Sequence, residues 1–263
     1  MSNQNARRDH FNVDGIPINL LSMPHAVRSI VDSATHGRGF CVFTLNLDHC
    51  AKLKSDRAFQ RAYKRASFVT ADGFPIVLLG RLNGTPVQRT TGADLVEPVC
   101  REAARHRLPV FLFGPNAHVL RQTQIRLRER VGALHVVGTH SPGPNFDPQS
   151  IDADVAIERI RQSGARICLM AIGAPRQEIF AARCLDQLPG VGFICVGAAL
   201  DFIAGTQARA PKFFQDYGME WLWRLSTNPR RLSLRYLRCA ATVPRLAAQA
   251  IPQAISIRMG RSS

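Results

Sequence analysis

Residues 166–187 read RICLMAIGAPRQEIFAARCLDQ. Seven residues, Arg166–Ile172, form a run rich in apolar side chains, short enough for a buried strand. Gly173-Ala174-Pro175 breaks the run, and an amphipathic stretch follows to Gln187. Proline suits the first turn of a helix, where a missing N–H is no loss. The segment is therefore a strand, a tight turn and a helix, and its turn carries Arg176, Gln177 and Glu178 at the mouth.

The same unit repeats along the chain. Apolar runs stand at Phe40–Leu45, Ser67–Thr70, Pro109–Phe113, Leu134–Gly138 and Val191–Val196. Between them lie helical patterns at Asp48–Arg65, Gly92–Arg107, Ala117–Arg130 and Ile151–Ser163. Short strands alternating with helices predict an α/β fold with a Rossmann-like, mainly parallel sheet flanked by helices. Asn12–Ile18 adds a small hairpin or an edge strand before it. Residues 1–227 are read as this core. Residues 228–263, punctuated by Pro229, Pro244 and Pro252, are read as a basic amphipathic helical appendage.

The chain has 263 residues and a formal net charge of +15. Beyond Asp201 stand ten Lys or Arg and only two acids, Asp216 and Glu220. Such a charge attracts polyanions without choosing among nucleic acid, anionic lipid and phosphorylated substrates. In Leu200–Tyr236 the cations alternate with Phe213, Phe214, Tyr217, Trp221, Trp223 and Tyr236. Guanidinium groups grip phosphate oxygens, and Trp and Tyr suit the boundary of water and lipid. The seven cysteines form no C-x-x-C pair and read as buried, reduced thiols. Met1–His10 is polar, so no secretory leader is expected, and the longest apolar stretch, Val191–Leu200, is too short to span a bilayer. Any membrane contact is then peripheral.

In parallel sheets ligands bind at the carboxyl ends of the strands. Asp72 follows one strand and precedes Gly73; it can be a general base, a ribose ligand or a helix cap. Thr44 and Asn46 point to one side of another strand end, suited to hydrogen bonds with a sugar or a uracil, or to a turn. Asp152-Ala153-Asp154 has the Asp-x-Asp form of a metal site, but it opens a helix, where acids favour the dipole; no metal site is expected. P-loop, G-x-G-x-x-G and G-x-S-x-G patterns are missing from the sequence.

Taken in order, Thr44-Leu-Asn46, Thr70-Ala-Asp72-Gly73, Arg89-Thr-Thr-Gly92-Ala-Asp94-Leu95, Gly173-Ala-Pro-Arg-Gln177-Glu178, Gly197-Ala-Ala-Leu-Asp201 and Glu220-Trp221-Leu-Trp-Arg224-Leu225 resemble the WecG/TagA/CpsF family of bacterial glycosyltransferases. The resemblance runs from about Val13 to Tyr236 and implies an inverting hexosyl transfer, without metal or other cofactor. The implied donor is a UDP-sugar of the N-acetylmannosamine, N-acetylmannosaminuronic acid or glucose type. The implied acceptor is a polyprenyl-diphosphate-linked saccharide at the inner face of the cytoplasmic membrane, in polysaccharide synthesis, with self-association there. Asp72 matches the family's general base. Thr44, Asn46, Arg89, Gln177 and Asp201 match the sugar and nucleotide pocket. Arg224, Arg231 and Arg235 match appendage arginines that neutralise the diphosphate. Phe180 stands where the family often has Trp, and Ala199-Leu200 replaces a usual Gly-x-Phe. A nucleic-acid-binding module would explain the charge but not the acid and amide loops, so no nucleic-acid partner is expected. A non-catalytic membrane scaffold is the other alternative.

Overall fold

The computed structural model describes residues 10–227, 229–246 and 248, and only the backbone of 216, 224, 227, 231, 232, 234–236 and 238. The chain opens with β1 (Phe11–Val13) and β2 (Ile16–Ile18), an antiparallel hairpin. Asp14 and Gly15 make its turn, both with positive φ, as a two-residue hairpin turn requires. After α1 (Met23–Thr35), capped by Ser22, come β3 (Phe40–Leu45), α2 (Leu47–Leu53), α3 (Arg57–Lys64), β4 (Phe68–Ala71) and α4 (Phe74–Leu82). Then follow α5 (Gly92–Arg105), β5 (Val110–Phe113), α6 (Ala117–Val131), β6 (Val136–His140), α7 (Ile151–Gln162), β7 (Ile167–Met170), α8 (Arg176–Gln187) and β8 (Gly192–Cys195). Short helices α9 (Ala199–Ala204), α10 (Lys212–Asp216) and α11 (Glu220–Thr227) lead to α12 (Pro229–Ala240).

The six strands β3–β8 form one parallel sheet, ordered β4-β3-β8-β7-β5-β6. Strand side chains alternate between faces, and this alternation divides the core in two. Cys41, Phe43, Phe113, Cys168, Met170 and Phe193 point to the layer with Phe59, Tyr63, Ile76 and Phe180 from α3, α4 and α8. Phe40, Val42, Val110, Leu112, Leu169 and Ile194 point to the layer with α1, α5, α6 and α9. Both faces are covered, which is why these strands are apolar throughout rather than alternating.

The α/β reading and the sheet hold. The stretch 48–65 is two helices rather than one, because Asp56 accepts from the Phe59 N–H at 2.9 Å and starts α3 afresh. All seven cysteines are buried, and none of them is in a disulfide. Burial pushes the thiols of Cys41, Cys50 and Cys100 up to about 12, leaving them inert. Phe180 packs its ring 5.0 Å from Phe113 and 4.9 Å from Phe146, an apolar fit in which an indole N–H would have no evident use.

Candidate active site

The carboxyl ends of β3 and β4 lie side by side. Thr44 pairs with Thr70 and Leu45 with Ala71. The Asp72 N–H donates to the Leu45 carbonyl at 2.8 Å, which carries the ladder one residue past β4 and sets half-buried Asp72 beside Asn46. Gly73, with φ 101°, takes the N-cap position of α4, and no side chain caps that helix. Asp72 therefore stands one residue before the N-cap position of α4. Asn46 does cap: its Oδ1 accepts from the His49 N–H at 3.0 Å and starts α2. Thr44 is buried beside it.

Two hydrogen bonds bring the next segment to the same edge. Thr90 N–H donates to the Ala71 carbonyl, and Thr70 Oγ1 donates to the Thr90 carbonyl, both at 2.8 Å. Arg89 is thereby held against the end of β4. A Cβ on Gly92 would lie 2.8 Å from Val196 Cα, so only glycine lets α5 begin in backbone contact with the end of β8.

Gln177 is buried rather than lining an open surface. Its Oε1 accepts from the N–H groups of Gly173, at 3.2 Å, and Gly197, at 3.3 Å. One amide thus ties the loop after β7 to the loop after β8. Its Nε2 donates to Glu178 Oε1 at 2.8 Å, which fixes which way the amide faces. Glu178 is fully buried, and its Oε2 has no hydrogen-bond partner among the described residues. Burial raises the Glu178 carboxyl to about 7, opposed by the Gln177 hydrogen bond and by Lys52. Next to it, burial and then Glu178 itself push the Tyr63 hydroxyl well above its usual range. Tyr63 Oη lies 2.7 Å from His49 Nδ1. Lys52 pairs with Asp48 at 2.6 Å and donates to the Ala174 carbonyl at 3.2 Å, so α2 also holds the loop after β7.

A quartet of charges joins the core to the C-terminal helices. Arg209 bonds Asp94 at 2.7 Å and lies 3.9 Å from Glu220; Arg89 lies 3.7 Å from Glu220 and 4.0 Å from Asp94. Asp94 in turn accepts from the Thr91 hydroxyl at 2.8 Å. Farther on, α12 packs against α2, Lys54 donates to Thr242 at 3.4 Å, and Arg245 pairs with Asp14. The described part of the appendage, from α12 to Leu246, therefore lies on the core. Arg224 stands on α11, and Arg231 and Arg235 on α12, but the side chains of all three lie outside the described residues, as does Asn228 at the expected boundary. Asp201 sits on α9 past β8, where burial raises its carboxyl against the Thr206 hydrogen bond. Asp154 pairs with Arg183 of α8, and Asp152 stands in the first turn of α7. Among the described residues no group of three or more His, Cys, Asp or Glu comes together to hold a metal ion.

The family model of the glycosyl transferase WecG/TagA/CpsF family matches residues 11–256. The chain belongs to the WecG/TagA/CpsF glycosyltransferase family. As a glycosyltransferase it takes a sugar donor and an acceptor. Its parallel sheet presents Thr44, Asn46, Asp72 and Arg89 along one strand-end edge, with Gln177 as the brace between two neighbouring loops. The sequence motifs include Glu178 and Glu220, yet nothing in their spacing tells that Glu178 is buried under Gln177. Nor does it tell that Glu220, over a hundred residues away, meets Arg89. Among the described residues, no helix is long and apolar enough to cross a membrane.

Proposed function

We propose that this glycosyltransferase moves a hexosyl group, of the N-acetylmannosamine, N-acetylmannosaminuronic acid or glucose type, from a UDP-sugar to a polyprenyl-diphosphate-linked saccharide. The acceptor lies at the inner face of the cell membrane, the transfer inverts the anomeric centre, and self-association there accompanies it. The observation that carries the reading is the close setting of Asp72 beside Asn46 at adjoining strand ends, with Arg89 held at the same edge. An acid there can take the proton of an acceptor hydroxyl as its oxygen attacks the anomeric carbon. The bond from that carbon to the diphosphate oxygen breaks, and UDP leaves with the electron pair. Arginines at the edge supply the positive charge that stabilises the departing diphosphate. Arg89 is one candidate, and Arg224, Arg231 and Arg235 join it by family resemblance. The Asp154–Arg183 pair supports a reaction that does not use Asp-x-Asp to bind a metal.

Asp72→Asn tests the reading, because the amide keeps the shape and removes the base. UDP-sugar binding measured by calorimetry is expected to persist, while turnover falls by roughly 10²-fold or more. Turnover near that of the unaltered protein would remove Asp72 from the mechanism.

A further inference from the structure

The helix that follows Asp72 is apolar on both faces. α4 reads FPIVLLGRL; Ile76, Val77 and Leu79 are buried in the core. On its other side Phe74, Leu78 and Leu82 are 48%, 43% and 48% exposed. They stand four residues apart and make one stripe along the helix. A helix that is hydrophobic all round is normally covered on every side, and this one is not.

The stripe continues into the C-terminal helices. A Cβ on Gly218 would meet Phe74 Cβ at 2.6 Å, so the turn between α10 and α11 lies against the start of α4. That turn is flanked by exposed Phe213, Tyr217 and Trp221, the first two with ring centroids 4.7 Å apart. Leu222, next to Trp221 on α11, is exposed as well, whereas Ile125 on α6 lies across the sheet and Ile151 and Val155 on α7 lie beside the far-edge strand.

We propose that α4 and the α10–α11 turn form a lipid-docking face that seats the α/β core itself on an anionic bilayer surface. Charge selects this occupant. Arg81 and Lys212 are exposed at its border. Among the described side chains of α4 and α10–α12 the one acid is Glu220, only 15% exposed and held by Arg89 and Arg209. A second copy seated on this same face would bring Arg81 and Lys212 against their own kind; an anionic headgroup layer would not. Tyr and Trp beside aliphatic side chains suit the boundary of headgroup and hydrocarbon. The helix is nine residues long, so it lies in that boundary and does not cross it. The inference rests on the lipid-linked acceptor proposed above and sets the hydrocarbon beside the helix that Asp72 precedes.

The test uses the full chain, co-sedimented with phosphatidylcholine vesicles with and without phosphatidylglycerol. The double variant Leu78→Glu/Leu82→Glu is compared with Ile125→Glu, an exposed control. Partition onto anionic vesicles is expected to fall roughly tenfold or more in the double variant and to stay unchanged in the control. In the unaltered protein, brominated lipid is expected to quench tryptophan emission, since Trp221 is on the face. A folded double variant that sediments as well as the unaltered protein overturns the proposal, as does tryptophan emission indifferent to brominated lipid. A dimer that the double variant makes monomeric, with vesicle binding intact, would assign the face to a second copy. UDP binding separates the two readings. Vesicle binding without UDP binding would sink the donor assignment alone, and UDP binding without vesicle binding would sink this one alone.

Discussion

Replacing Glu178 by Gln isolates one buried proton. The carboxyl is wholly buried, and burial raises it from 4.5 to about 7 against the opposing pull of Gln177 and Lys52. Asp48 and Tyr63 also face this position, from α2 and α3. An acid raised in the folded state holds its proton more tightly when folded. At pH well below the unfolded value both states are protonated, and Glu178 contributes no pH dependence. As pH rises between the two values the unfolded chain ionises first, so stability falls, by up to about 1.4 kcal/mol per pH unit. Above the folded value the loss is complete, at roughly 3 kcal/mol. Glu178→Gln still offers Gln177 an acceptor and cannot ionise. Its NH₂ takes the place of the unpartnered Oε2 and lowers stability by about 1–3 kcal/mol, an offset independent of pH. Urea unfolding at pH about 5 and about 8 reads the difference, which is expected to move by roughly 2–3 kcal/mol in favour of the variant as pH rises. Parallel stability curves for the two proteins would refute the buried-proton argument.

Three other outcomes follow from the same contacts. Gln177→Met leaves the Gly173 and Gly197 N–H groups and Glu178 without their shared amide, and is expected to lower unfolding free energy by roughly 2–4 kcal/mol; unchanged stability would show that the loops need no brace. Glu220→Gln removes the carboxylate between Arg89 and Arg209. The expected loss is about 1–2 kcal/mol, with faster proteolysis of the C-terminal helices, and an unaltered digestion pattern would deny the quartet its joining role. Gly92→Ala forces a methyl against the Val196 backbone and is expected to lower the midpoint of thermal unfolding at a cost of about 1–3 kcal/mol; calorimetry showing no change would mean that α5 can shift freely.

Much of the fold was legible because strands buried on both faces are apolar throughout. Phe40–Leu45 is β3 to the residue, and each of the other five apolar runs overlaps its strand. Helices with one wet face were legible too: α6 begins at Ala117 and α7 at Ile151, as their patterns predict. α4 was not. FPIVLLGRL has no polar face and therefore no helical period, and its length is short for a helix. α1 was also passed over, although Ser22 and Pro24 mark its start. At the site, position after a strand picked out Thr44, Asn46, Asp72 and Gln177, since strand ends are the mouths of parallel sheets. What each side chain touches was beyond reach. Asn46 spends an oxygen on α2, and Gln177 faces inward to two backbone N–H groups, because both depend on neighbours distant in the chain or on local turn geometry. Arg89 and Glu220 meet only after the chain has closed the sheet.

The most direct test of the central claim is transfer of radiolabelled sugar from a panel of UDP-sugars to a short-chain, diphosphate-lipid-linked saccharide in the presence of EDTA. The account predicts product from one donor, with inverted anomeric configuration, from the unaltered protein and not from Asp72→Asn. Equal product from Asp72→Asn, or transfer that EDTA abolishes, would contradict it.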